Sequence, residues 1–180
     1  YALLFPWVGC DLLAYWSRVI GQGVSSPSIV WAAHQCHGLV SALEWIHVPD
    51  SVLDSQKNEL FGRHGDIKPE NILWYKGNSD GPHPFASGQL VLSDFGLSSL
   101  NHKDTHSNIG NGDILFTTTY APPELIFSNN KICRRIDIWA FGCVFLEYVT
   151  WIIGGGPGAA AEFQRARLSP FLEHNYSKDM

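Results

Sequence analysis

The sequence has no run of lysine or arginine, no Cys-x-x-Cys pair and no internal repeat. Charged residues are 16% of the chain and the formal net charge is −5, so neither nucleic acid nor an anionic membrane is expected as the main partner. Four cysteines, Cys10, Cys36, Cys133 and Cys143, are scattered with no secretory signal ahead of them. That usage predicts free thiols in a reducing, intracellular compartment. Metal-ligand spacing is scarce too. His34 and His37 share a helix face beside Cys36, but no second ligand pair stands at metal spacing, and Cys36 fits an apolar stripe; a plain helix position is the simpler reading. Low hydrophobicity is also absent: 45% of the 180 residues are hydrophobic and seven are Trp, enough for one domain with a core and not a composition for disorder.

A long apolar run free of charge is missing as well. The nearest, "IDIWAFGCVFLEYVTWII" from Ile136 to Ile153, carries Asp137 and Glu147, both costly in a bilayer centre. It predicts a buried core helix with Trp139 and Trp151 as anchors. "GGGPG" follows without a preceding strand, so it reads as a helix stop and not as a phosphate cradle. The chain starts at Tyr1 without a methionine and goes straight into "YALLFPWV", which reads as a strand cut from a longer protein.

Elements follow from the spacing of apolar residues. A strand is expected over Tyr1–Trp7. A helix is expected over Asp11–Ile20, with Leu12, Leu13, Trp16, Val19 and Ile20 on its stripe. Gly21–Ser28 reads as a loop with Ser26 or Ser28 as a cap. Ile29–His47 is the strongest amphipathic helix, with Ile29, Ala32, Ala33, Cys36, Leu39, Val40, Leu43 and Ile46 inward. Val48–Arg63 reads as a polar surface insertion. Ile72–Tyr75 and Leu90–Leu92 read as short strands around a Gly/Pro/Ser loop at Lys76–Gly88. Asn101–Gly112 is polar and expected to be mobile. A last helix is expected over Ala159–Leu168.

Between these elements stands "HGDIKPENIL", His64 to Leu73. A carboxylate can orient a hydroxyl and accept its proton. A lysine two residues on can neutralise a phosphoryl group in transfer. An asparagine carbonyl five residues on can ligate a hard cation. Phosphoryl transfer needs this set, because it rests on positioning and electrostatics more than on covalent work. Asp94-Phe95-Gly96 follows the second short strand, where an aspartate can hold Mg²⁺ against phosphates and a glycine permits an unusual turn.

These motifs, in this order, resemble the C-terminal lobe of a eukaryotic protein kinase. The resemblance implies an α+β, protein kinase-like fold: a mainly helical C-lobe, short strands at the catalytic loop, and an N-lobe largely missing. It divides residues 1–180 into a hinge at 1–11, a C-lobe at 12–153 and a further helix at 159–168. By resemblance Asp66 is the catalytic base, Lys68 contacts the γ-phosphate of ATP, and Asn71 and Asp94 hold Mg²⁺. The lysine two residues after the aspartate resembles serine/threonine kinases, which implies a protein substrate with a Ser or Thr hydroxyl. Leu73 would lie under the adenine, Phe5 to Trp7 would offer it backbone hydrogen bonds, Leu4 falls at the gatekeeper and Asp11 meets the ribose. "TTTYAPPE" resembles the end of an activation segment, with Thr117 reaching the catalytic Asp and Lys. Asp137 would brace the loop's backbone. His64 packs near the Asp-Phe-Gly turn and is structural. Details of "HGDIKPENILW" and "DIWAFGCVFLEYVTW" resemble kinase-like proteins of filamentous fungi.

Three departures matter. Gly65 stands where the family has the Arg of His-Arg-Asp, the residue that pairs with an activation-loop phosphate. Activity that does not need phosphorylation of Thr105 or Ser107 is therefore expected. Glu124 has only Arg165 or Arg167 as candidate partners. No Gly-rich loop and no Val-Ala-x-Lys strand is found, so the chain alone is expected to bind ATP poorly and to be inactive or weakly active, and the alternative to a kinase is a pseudokinase or truncated lobe acting as a binding scaffold.

Overall fold

A computed structural model describes residues 6–19, 25–48, 60–77, 87–102, 107–108, 118–123, 131–132, 134–154 and 156–176. The expectations for Leu4, Phe5, Thr117, Glu124 and Cys133 lie outside the described residues. Pro6 to Gly9 have no regular structure and Trp7 is 94% exposed, so the expected strand does not include Pro6 and Trp7; residues 1–5 lie outside the described residues. The first strand among the described residues is β1, Cys10–Asp11.

Asp11 ends β1 and starts α1, Leu12–Arg18. Its Oδ1 accepts the Ala14 N–H at 2.7 Å, satisfying one of the donors a helix start leaves open. Leu12, Tyr15, Trp16 and Val19 face the core. Leu13 faces out, and Tyr15 takes the place that the expected stripe gave it. Helix α2, Ser26–His47, is capped by Ser25, not by Ser26 or Ser28 alone. Ser25 Oγ accepts the Ser28 N–H and Ser28 Oγ accepts the Ser25 N–H, a reciprocal box. Its core face is Ala32, Leu39 and Leu43 with Cys36 and Ile46 partly covered. Ile29, Ala33 and Val40 point outward, because a stripe at four-three spacing holds only one of each adjacent pair.

Two antiparallel sheets sit beside these helices. One has the order β1–β3–β4, with β3 at Ile72–Tyr75 and β4 at Gln89–Leu92. Ile72 and Trp74 are buried while Leu73 faces the other side, opposite Asp11. The second pairs β2, Leu60–Arg63, with β5, Ser99–His102. Residues 60–63 are thus a paired strand and not part of a surface insertion. A Cβ at Gly62 would meet the Ile46 carbonyl, so glycine lets β2 run against the end of α2. A short ladder joins β6, Ser107–Asn108, to β7, Lys131–Ile132, in a stretch expected to be mobile.

Helix α3, Arg135–Gly154, buries Ile136, Asp137, Ala140, Phe141, Cys143, Val144, Glu147 and Tyr148. It is long and apolar enough to cross a membrane by length and composition, yet both of its acidic side chains are buried in the core. Trp139 is 44% exposed, which corrects its role as a core anchor. Trp151 keeps that role: its ring lies 6.3 Å from Tyr15 and 5.9 Å from Tyr148, and its Nε1–H donates to the Trp16 carbonyl at 3.0 Å. After Gly154 and a turn through Gly156, helix α4 spans Pro157–Tyr176, longer than expected at both ends.

Candidate active site

The loop between β2 and β3 brings the motif residues together. It tightens into a 3-10 turn at Pro69–Asn71, where proline's preset φ starts the turn. Asn71 is buried, and its Nδ2 donates to the Asp66 carbonyl at 2.8 Å and to Asp66 Oδ2 at 2.9 Å. Lys68 Nζ lies 2.7 Å from the same Oδ2. One carboxylate oxygen therefore takes a cation and an amide, which hold the Asp66 side chain in a single orientation. The amide nitrogen of Asn71 is committed to Asp66, which leaves its Oδ1 as a hard oxygen donor.

The Asp-Phe-Gly turn is tied to this loop through Ser93. The Asn71 carbonyl accepts the Ser93 N–H at 2.9 Å and the Ser93 hydroxyl at 3.0 Å. Asp94 itself has φ +59°, the left-handed region that few non-glycine residues enter and that Asp tolerates. Its Oδ1 accepts the Gly96 N–H at 3.1 Å. Asp94 and Asn71 thus offer carboxylate and carboxamide oxygens, the donor chemistry Mg²⁺ takes, with its other positions left to phosphates and water.

His64 is fully buried. Its Nε2 meets the Ser93 carbonyl at 3.0 Å and its Nδ1 accepts the Asp66 N–H at 3.3 Å, so the ring carries its hydrogen on Nε2. Its centroid is 5.0 Å from Phe95. His64 thus links this loop to the Asp-Phe-Gly turn, the packing that the resemblance implied.

Asp137 holds the loop from below. Its carboxylate is 1% exposed and accepts the His64 N–H at 2.9 Å and the Gly65 N–H at 2.8 Å. His47, at the end of α2, brings Nε2 to 2.8 Å from Asp137 Oδ2, and Arg134 donates to the His47 carbonyl at 3.0 Å while stacking on Phe61. The resemblance assigned Asp137 a role under the loop but none to His47 or Arg134. A histidine in the last turn of an amphipathic helix carries no sign of such a partner, which only the crossing of α2 and α3 creates.

Gly65 has φ +90°, and a Cβ there would stand 2.7 Å from the Leu97 carbonyl oxygen. The residue is glycine for the backbone's sake. Arg63 places Nη2 3.5 Å from that same carbonyl, so a cation lies beside Gly65 from the strand before it. Gly65→Ala is expected to cost about 1–3 kcal/mol from the left-handed φ alone, with the contact to Leu97 adding to it. A lowered urea midpoint at unchanged slope checks this; an unchanged midpoint contradicts it.

A second buried polar cluster lies beyond the loop. Glu147 is 3% exposed on α3, and accepts from Arg167 Nη2 at 2.6 Å and from the Tyr120 hydroxyl at 2.9 Å. Arg167 is thus bonded to Glu147, while Arg165 is exposed and bonds the Ala161 carbonyl of its own helix. Two of Arg167's nitrogens, Nε and Nη1, are buried with no hydrogen-bond partner among the described residues. The signal for this cluster was a carboxylate inside an apolar helix, which must find a partner. Burial holds Glu147 above the ordinary carboxylate range, against the Tyr120 hydrogen bond and the Arg167 charge, with Glu70 adding a further upward push. A group whose pKa rises on folding takes up a proton on folding. Its contribution is complete below its ordinary value of 4.5 and is lost as the pH rises through the folded value. Moving from pH 7 to pH 5 is therefore expected to raise the Tm of the wild type relative to Glu147→Gln, read from paired thermal melts; a constant gap contradicts it.

Of the expected nucleotide-facing residues, Asp11 and Leu73 stand opposite each other on β1 and β3. Asp11 also caps α1 through one of its oxygens, a role the resemblance did not assign. Trp7 lies three residues before β1.

Residues 20–153 match the family model described as the protein kinase domain. The serine/threonine-protein kinase SSN3 of Chaetomium globosum is 33% identical over 115 residues, 64% of this chain and 20% of the relative. The probable cyclin-dependent kinase 8 of Dictyostelium discoideum is 33% identical over 87 residues, 48% of this chain and 21% of its own length. Cyclin-dependent kinase C-2 of rice is 31% identical over 171 residues, which cover 95% of this chain and 27% of that protein. The match extends over more than half of the sequence, and the chain belongs to the protein kinase family. It spans about a fifth to a quarter of the length of these relatives.

Proposed function

We propose that this chain is the catalytic lobe of a serine/threonine protein kinase, which transfers the γ-phosphoryl group of ATP to a protein hydroxyl. The observation that carries the reading is the shared Asp66 oxygen, with Lys68 at 2.7 Å and Asn71 at 2.9 Å. In this reading residues 1–11 form the hinge, 12–153 the C-lobe, and the helix expected at 159–168 extends it. Asp66 accepts the hydroxyl proton as the new O–P bond forms and the bond to the ADP oxygen breaks. Lys68 faces the transferred phosphoryl group, and Asn71 holds Asp66 at the angle the hydroxyl needs. Bound Mg²⁺, held by Asn71 and Asp94, supplies positive charge to the phosphates. Leu73 floors the adenine, with Phe5 and Trp7 at its edge and Asp11 at the ribose. Thr117 completes the Asp66–Lys68 group. Gly65 leaves turnover independent of phosphate on Thr105 or Ser107. The free thiols of Cys10, Cys36 and Cys143 fit an intracellular, reducing site of action.

Calorimetric titration with Mg²⁺ and ATP tests the reading. Saturable binding is expected when the chain is extended upstream to include the missing half of the nucleotide site, and only weak binding by the chain alone; Asp94→Asn is expected to weaken binding by the extended form about tenfold or more through loss of a charged ligand. Binding by the extended form that is absent, or indifferent to Asp94→Asn, would favour a scaffold.

A further inference from the structure

Helix α4 lies after the family match, which ends at residue 153, yet it reaches into the buried centre of the structure. Arg167 binds Glu147 Oε1, and Gln164 Nε2 donates to the Tyr120 hydroxyl at 3.3 Å. The same hydroxyl donates to Glu147 Oε2 at 2.9 Å, and the Arg167 guanidinium lies 5.5 Å from the Tyr120 ring centroid. Tyr120 closes the 3-10 turn Thr118–Tyr120 and is buried. It is therefore held by α3 and α4 together. Both oxygens of a buried carboxylate are filled, one by each neighbour, so each partner keeps the carboxylate where the other needs it. Arg165, two residues earlier, points elsewhere and bonds only within its helix in the described contacts, so the reach of Arg167 is particular to that residue.

We propose that α4 is a brace for the segment carrying Tyr120, and that Arg167 is its positioning residue, acting through Glu147. The catalytic consequence rests on the kinase reading: the braced segment follows Thr117 and would form the floor under a peptide substrate. The structural consequence does not rest on it.

Four variants of the chain test the brace: Tyr120→Phe, Arg167→Lys, Arg167→Gln, and Arg167→Gln combined with Glu147→Gln. The last removes both charges, so no buried charge is orphaned. Amide hydrogen exchange over residues 118–121 is expected to accelerate about tenfold in Tyr120→Phe and in the double variant, with α2 unchanged. Arg167→Lys keeps a cation on Glu147 and is expected to stay near the wild type, while Arg167→Gln does not. With ATP and a degenerate Ser/Thr peptide, the peptide KM is expected to rise about tenfold, with kcat and the ATP KM within about twofold. Unchanged exchange at 118–121 overturns the brace whatever the activity. Acceleration spread evenly over all helices also overturns it, because it marks a loss of global stability alone. A local exchange response with no phosphate transfer by the wild type, even when it is extended upstream, keeps the brace and overturns the kinase reading.

Discussion

Asp66→Asn is expected to lower kcat by about 10²–10⁴-fold, the range a positioned general base contributes. An asparagine at 66 fits the same space but cannot accept the hydroxyl proton. It also gives Lys68 and Asn71, at 2.7 Å and 2.9 Å from the present Oδ2, a neutral oxygen to hold. The ATP KM should move little, because the roles assigned to nucleotide contacts fall on Leu73, Asp11 and Asp94 and not on Asp66. The check is steady-state transfer to a Ser/Thr peptide, with Tm measured beside it. A loss under about tenfold with an unchanged Tm would remove Asp66 from the role of base.

Asp137→Ala is expected to be the most destabilising single change. The Asp137 carboxylate accepts two buried backbone N–H groups, of His64 and Gly65, and also meets His47 Nε2. Alanine leaves all three without that acceptor, the His64 N–H in a fully buried position and the other two partly buried. Each orphaned buried group costs about 1–3 kcal/mol, and a loss of about 3–5 kcal/mol is expected after relaxation. Against an ordinary stability of about 5–15 kcal/mol this is a large share. Urea unfolding checks it. Asp94→Asn, at an exposed turn, is the companion variant and should cost under about 1 kcal/mol. Equal losses in the two would show that Asp137 does not brace the loop.

The loop carrying Asp66, Lys68 and Asn71 and the Asp-Phe-Gly turn were legible in the sequence because their residues meet at short separations. Asp66, Lys68 and Asn71 lie within six positions, and a single 3-10 turn is enough to bring them together. Strands β3 and β4 were legible for the same reason, since β-branched and aromatic residues stood between turn formers. Residues 60–63 were not. Their pairing partner is residues 99–102, and nothing within "LFGR" announces a strand whose mate is so distant. Trp139 was misread because an all-apolar helix shows no polar face, so its inward side cannot be assigned from spacing. The Glu147 cluster was half legible. The charge demanded a partner, but Tyr120 and Arg167 lie 27 and 20 residues away.

The sequence by itself determined the family, the grouping of Asp66, Lys68 and Asn71 on one short loop, and the main helices, because local spacing decides these. The tertiary structure alone decided that His47, Asp137 and Arg134 meet under the loop, that Gly65 must be glycine against Leu97, and that α4 reaches Tyr120 through Glu147. Those are contacts between distant segments. They exist only once burial has brought the helices together, and no local periodicity encodes which side chains then face each other.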